Sequence, residues 1–127
     1  MEDWKVLLVD DEEDFVSTLA ERLNLRGIRT QVAINGEDAL RVARTDPPQV
    51  VVLDVMMPGM SGLEVLKRLR ADFPYIPVIL LSGIGSAQDT AQGIRLGAFD
   101  FLMKPLQIED LIGKMSEAVR KASGEVQ

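Results

Sequence analysis

The amino-acid sequence predicts an α/β domain built on a parallel sheet, and two observations carry that prediction. Val6 to Val9, Val50 to Leu53 and Val78 to Leu81 are short, near-continuous aliphatic runs, the pattern of strands covered on both faces. Between and after them lie segments of helix length whose apolar residues recur every three or four positions.

Taken in order, the first run leads into a helix marked by Phe15, Leu19 and Leu23, and Gly27 stands where that helix should end. A weaker strand fits Arg29 to Ala33 and a weaker helix Glu37 to Arg44. Pro47 precedes the second aliphatic run, and Pro58 precedes a helix carrying Leu63, Leu66 and Leu69. Pro77 opens the third run; a weaker helix from Ala87 to Leu96 follows it, ending at Gly97. The fifth strand is expected at Phe99 to Leu102, before a helix whose stripe is Ile108, Leu111, Ile112, Met115 and Val119. The pattern is (βα)5, with no internal repeat and no linker. One domain over residues 1–122 is expected, with the small polar residues after Arg120 fraying into a tail at 123–127.

Composition narrows the function. A chain of 127 residues with 46% hydrophobic content builds one core and has no room for a second. Its net charge of −6 argues against direct nucleic-acid binding. With no cysteine and no histidine, any metal must be held by oxygen. The acidic N-terminal stretch is unlike a targeting peptide, and no apolar run approaches the roughly 20 residues that span a bilayer. A cytoplasmic protein is expected, without a membrane partner.

Ligands of an open parallel sheet bind beyond the carboxyl ends of its strands. There the first strand ends in Asp10-Asp11, the third in Asp54, the fourth in Ser82 and the fifth in Lys104-Pro105. Three carboxylates brought that close repel by ~3–4 kcal/mol per pair at about 4–5 Å and an effective dielectric near 20, so a cation should sit among them. Mg2+ fits, because it takes oxygen ligands and uses few carboxylates together with a substrate phosphate. With Lys104 it would balance the three acids. Alone, each residue has an ordinary explanation: Asp10 and Asp11 as a helix cap, Ser82 as a turn residue, Lys104 as a solvated strand end. Glu12, Glu13 and Asp14 read as a solvated first helical turn, with Glu12 adding negative potential.

The ordered set LLVDDEED, VVLDVMMPGMSG, VILLSG and DFLMKP resembles the receiver domain of bacterial two-component response regulators over nearly the whole chain. The resemblance implies a CheY-like, doubly wound five-stranded sheet in the order 2-1-3-4-5. It implies that Asp54 accepts a phosphoryl group with Mg2+ as cofactor, held by Asp11 directly, Asp10 at least through water, Asp54 and the Met56 carbonyl. Lys104 and Ser82 would contact phosphoryl oxygens. Ser82 and Phe101 would form the switch that remodels the face of the fourth helix, fifth strand and fifth helix, and Lys104-Pro105 would be cis. The implied partners are a sensor histidine kinase or histidine phosphotransfer protein and a downstream output protein or domain, with homodimerisation through the remodelled face. The domain would be a signalling module rather than an enzyme.

The sequence departs from the family pattern at Met56 and Ile84, apolar where the family is often polar, and this predicts a long-lived acyl phosphate. Gly83 replaces the commoner alanine, and Phe101 the commoner tyrosine. A haloacid-dehalogenase-like phosphatase would need an acid at Met56. A flavin module would need a phosphate cradle where Asp-Asp-Glu-Glu stands, and SGIGSAQD is neither a dinucleotide fingerprint nor a P-loop. A degenerate receiver acting as a constitutive interaction module is the remaining alternative.

Overall fold

The computed structural model describes residues 4–124. Five strands and five helices alternate: β1 (Lys5–Val9), α1 (Glu13–Leu25), β2 (Arg29–Ala33), α2 (Gly36–Thr45), β3 (Val50–Asp54), α3 (Gly62–Asp72), β4 (Val78–Ser82), α4 (Ala87–Arg95), β5 (Asp100–Met103) and α5 (Ile108–Ala122). The strands form one parallel sheet in the order β2-β1-β3-β4-β5. Both the architecture and the strand order agree with the sequence prediction.

Differences are small and have physical reasons. β3 and β4 end in Asp54 and Ser82 as expected, whereas β1 ends at Val9, one residue before Asp10. The Asp54 position pairs with Leu81, and Lys104 N–H donates to the Ser82 carbonyl, so the ladder continues through both. β5 begins at Asp100, one residue later than expected, although Phe99 N–H still donates to the Val78 carbonyl. α5 runs through Lys121 and Ala122, beyond the fraying expected after Arg120; residues 125–127 of the expected tail lie outside the described residues. Gly27 and Gly97, with φ of 82° and 114°, end α1 and α4 in the left-handed region where glycine pays no Cβ penalty.

Alternation along each strand divides the core into two clusters. Leu7, Val9, Val51, Leu53, Val78 and Leu80 pack with α2 and α3 through Leu40, Val65, Leu66 and Leu69. α4 lies on that side too: a Cβ on its Gly93 would come within 2.5 Å of the Leu80 side chain. Val6, Leu8, Val50, Val52, Ile79 and Leu81 pack with α1 and α5 through Val16, Leu19, Leu23, Leu111 and Met115. Continuing each strand's period of two gives the faces at the carboxyl edge. Asp10 and Asp54 share the α1/α5 face with Val6, Leu8, Val50 and Val52; Ser82 shares the α4 face with Val78 and Leu80.

Gly62 opens α3 against the end of β3. A Cβ there would lie 2.3 Å from the Asp54 carbonyl oxygen and 2.7 Å from that of Val55, both backbone atoms that cannot swing away. Gly113, in mid-α5, has nothing within 4 Å of the same position. Denaturant unfolding should therefore show Gly62→Ala destabilised by ~3 kcal/mol through overpacking. Gly113→Ala should be stabilised by ~0.5–1 kcal/mol through helix propensity.

Candidate functional site

The site lies at the carboxyl ends of β1, β3 and β5, where β1 and β3 are neighbours although α1, β2 and α2 separate them in sequence. That crossover is where a doubly wound sheet opens a crevice. Asp10 and Asp54 line it, 1% and 7% exposed. Each aspartate divides its two oxygens in the same way. Asp10 Oδ1 accepts the Glu12 amide at 2.9 Å, and Asp54 Oδ1 accepts the Met56 amide at 3.1 Å. These are Asx turns, which hold a carboxylate by its own following backbone.

The second oxygens face Lys104. Its Nζ lies 2.8 Å from Asp10 Oδ2, 3.6 Å from Asp54 Oδ2 and 2.6 Å from Glu12 Oε1. The Phe15 ring lies beneath the ammonium, 4.5 Å from its centroid, a cation–π contact. Lys104 follows Leu102 by two residues and so emerges on the α1/α5 face, toward the acids. The Lys104-Pro105 bond is cis, as the resemblance implied.

Coulomb energies decide the charge state. Two carboxylates at the 4.8 Å limit of this cluster repel by ~3.5 kcal/mol at an effective dielectric near 20, whereas an ammonium 2.8 Å from one attracts it by ~6 kcal/mol. Lys104 therefore stays charged: burial opposes its charge, but the close contacts with Asp10 and Glu12 and the fields of Asp10 and Asp54 outweigh it and raise its pKa. Asp54 is pushed up to about 6, by burial first and the Asp10 charge next, against the lowering effect of the Met56 amide and Lys104.

Asp10, Glu12 and Asp54 each offer one oxygen, all within 4.8 Å of one another. Asp10 Oδ2 is buried and makes no aligned hydrogen bond, its ion-pair contact with Lys104 notwithstanding. Three carboxylates against one ammonium leave two negative charges. This oxygen-only set with an under-satisfied buried oxygen suits a hard dication.

Of the residues singled out in the sequence, the structure brings Asp10, Asp54 and Lys104 together, with Met56 joined through its amide. Asp11 stands outside the cluster with its side chain exposed, because it follows inward-pointing Asp10 by one residue. Ser82 and Phe101 lie on the other face, beside α4. They line a groove of about 410 Å³ with Ile84, Thr90, Ile94 and Met103, and Phe101 is 40% exposed. Glu12 and Phe15 also join the site: Glu12 stays exposed, as expected, while pairing with Lys104, and Phe15 packs against the α1/α5 core while its ring meets the ammonium. Their spacing from Asp10 on the first turns of α1 was the available signal.

The response regulator receiver domain model matches residues 6–116. The uncharacterized transcriptional regulatory protein YkoG of Bacillus subtilis is 40% identical over 121 residues, 95% of this chain and 53% of that protein. The alkaline phosphatase synthesis transcriptional regulatory protein PhoP of the same organism is 36% identical over 93% of this chain and 49% of its own. The chain thus spans about half the length of these relatives. Among solved structures, the receiver domain of NtrX from Brucella abortus superposes with a TM-score of 0.85 at 32% identity, covering 91% of this chain and 98% of that one. A CheY-like receiver protein from Methanospirillum hungatei gives 0.90 at 22% identity, covering 97% and 98%, a likeness of fold. The chain belongs to the receiver domains of two-component response regulators.

The raised pKa of Asp54 has a consequence for stability. An acid that titrates near 6 when folded and near 3.8 when unfolded leaves the native state holding more protons between those values. Stability therefore falls as pH rises through that window and is level above it. With a chelator present, Asp54→Asn should be more stable than wild type by about 3 kcal/mol at pH 7.5, and the gap should close as pH falls toward 4. Urea unfolding at a series of pH values measures both.

Proposed function

We propose that Asp54 is the phosphoryl acceptor of this receiver domain, in a unit running to the end of α5 at Ala122. The observation that supports it best is the pairing of a buried, amide-anchored Asp54 with a lysine and a second buried carboxylate at the sheet's crossover. The donor is a phosphohistidine of a sensor kinase or phosphotransfer protein. An Asp54 oxygen attacks the phosphorus, an O–P bond forms, and the N–P bond breaks with its electron pair passing to the imidazole nitrogen, which takes up a proton.

Asp10 and Asp54, with the neighbouring acids Asp11 and Glu12 and the Met56 carbonyl, would hold Mg2+. Bound there, the ion neutralises phosphoryl oxygens and templates the in-line displacement. Lys104 is already charged and partly buried beside Asp54, so it meets a phosphoryl oxygen with little further desolvation. Its contact with Glu12, an exposed partner, is the one most cheaply exchanged. Ser82 donates to another oxygen, and Phe101 moves into the groove it lines with Ser82. The face of α4, β5 and α5 is the output, read by a downstream protein or domain or by a second copy of the chain. Contact with DNA would belong to an output domain, given the acidic charge of this one. Among the described residues no helix is long and apolar enough to cross a membrane, which accords with action in the cytoplasm.

Intact-protein mass after incubation with a small phosphodonor tests the proposal. Wild type should gain one phosphoryl group only with Mg2+, and Asp54→Asn should gain none. No gain by a folded wild-type protein that binds Mg2+, together with partner binding unaffected by chelator, would instead support a constitutive interaction module.

Met56 and Ile84 are 53% and 104% exposed and carry no group able to orient an attacking water. The acyl phosphate should therefore be long-lived once donor is removed, and Met56→Asn or Ile84→Glu should shorten its half-life by about tenfold, a modest share of what general-base assistance can supply. Rapid loss from wild type, unchanged by either substitution, would exclude this role.

A further inference from the structure

The hydroxyl of Ser82 is part of a buried chain. Its Oγ meets Ser86 Oγ at 2.9 Å and accepts from Thr90 Oγ1 at 2.8 Å. Ser86 Oγ also donates to the Gly83 carbonyl at 2.8 Å and accepts the Gly83 amide at 2.9 Å. Thr90 Oγ1 has a second acceptor, the Ser86 carbonyl, at 2.8 Å. Ser82, Ser86 and Thr90 are 2%, 0% and 5% exposed.

Counting protons orients the chain. Each hydroxyl carries one. With the Ser86 proton on the Gly83 carbonyl, Ser82 donates across its contact with Ser86, and the one proton of Thr90 is shared between Ser82 Oγ and the Ser86 carbonyl. The single proton of Ser82 is therefore directed into α4's first turn, on the face of the sheet opposite Asp54. Ser86 also differs from the N-caps Asn35 and Ser61. Asn35 and Ser61 accept amides of their own helices at 2.8 Å and 3.3 Å, whereas Ser86, the N-cap of α4, makes no such bond. A cap bond worth about 1 kcal/mol in other helices is absent, and the hydroxyl that would make it holds Gly83 and Ser82.

We propose that Ser86 and Thr90 are positioning residues that hold the Ser82 hydroxyl toward α4 while Asp54 is unmodified, so that donation to a phosphoryl oxygen requires its release from α4. The inference rests on Asp54 being the phosphoryl acceptor. Release strands no donor: Thr90 keeps the Ser86 carbonyl, and Ser86 keeps both of its bonds to Gly83. The Ser82 backbone stays in place, because its carbonyl accepts Lys104 N–H at 2.8 Å. The change is a side-chain rotation between two satisfied states, which is what a ligand-biased switch requires. The segment it loosens, Gly83-Ile84-Gly85, has Gly85 at φ 87° and Ile84 fully exposed.

Ser86→Ala and Thr90→Val test the proposal, each made in wild type and in Ser82→Ala. Phosphorylation by acetyl phosphate with Mg2+ is followed by intact mass, and amide NMR shifts of residues 83–91 are recorded before and after. In wild type each substitution should raise the phosphorylation rate about fivefold, the effect of losing one net hydrogen bond from the resting state. Each should also move those amides in the unmodified protein toward their phosphorylated positions. In Ser82→Ala neither substitution should alter the rate further. Equal rate changes with and without the Ser82 hydroxyl, or rates and shifts unchanged in wild type, would overturn the proposal while leaving Asp54 as acceptor. No mass gain by wild type would remove the acceptor and the proposal together.

Discussion

The structure depends on one electrostatic compromise at the carboxyl edge of the sheet. Two buried aspartates at the ends of adjacent strands share one face, and a single lysine just after β5 keeps them tolerable together. Asx turns hold one oxygen of each; the others converge on a cation that α1 covers with Phe15 and Glu12. Because Lys104 cannot balance three acids, the folded chain carries local negative charge at a position set by its backbone. The aliphatic strands around it supply the rigidity that keeps the carboxylates from separating.

Much of this was legible in the sequence. The aliphatic runs gave three strands nearly to the residue, their polar ends pointed to Asp10, Asp54 and Ser82, and the end of the weaker fifth strand pointed to Lys104. Even the division into faces follows from a period of two, since Val50, Val52 and Asp54 must point one way while Val78, Leu80 and Ser82 point the other. Only the strand order was needed to bring the right ends together.

What was not legible depended on where helices come to rest over those ends. Glu12 read as solvated because its partner Lys104 is 92 positions away in the chain. Phe15 read as core because its spacing with Leu19 and Leu23 is that of a buried stripe, yet its ring also lies beneath the ammonium. Ser86 and Thr90 have ordinary explanations as helix cap and helix residue. Their joint burial against Ser82 exists only once α4 lies against β4. Asp11 shows the converse: adjacent to Asp10 in sequence, it is turned outward by the same alternation that turns Asp10 in.

The division of the edge between two faces has a consequence for traffic on the surface. Asp10, Asp54 and Lys104 open toward α1 and α5, whereas Ser82, Phe101 and Met103 open toward α4. A molecule arriving at the carboxylates occupies different ground from one reading the groove beside α4. The five-stranded sheet is a partition, with the acidic cluster on one side and the apolar groove on the other.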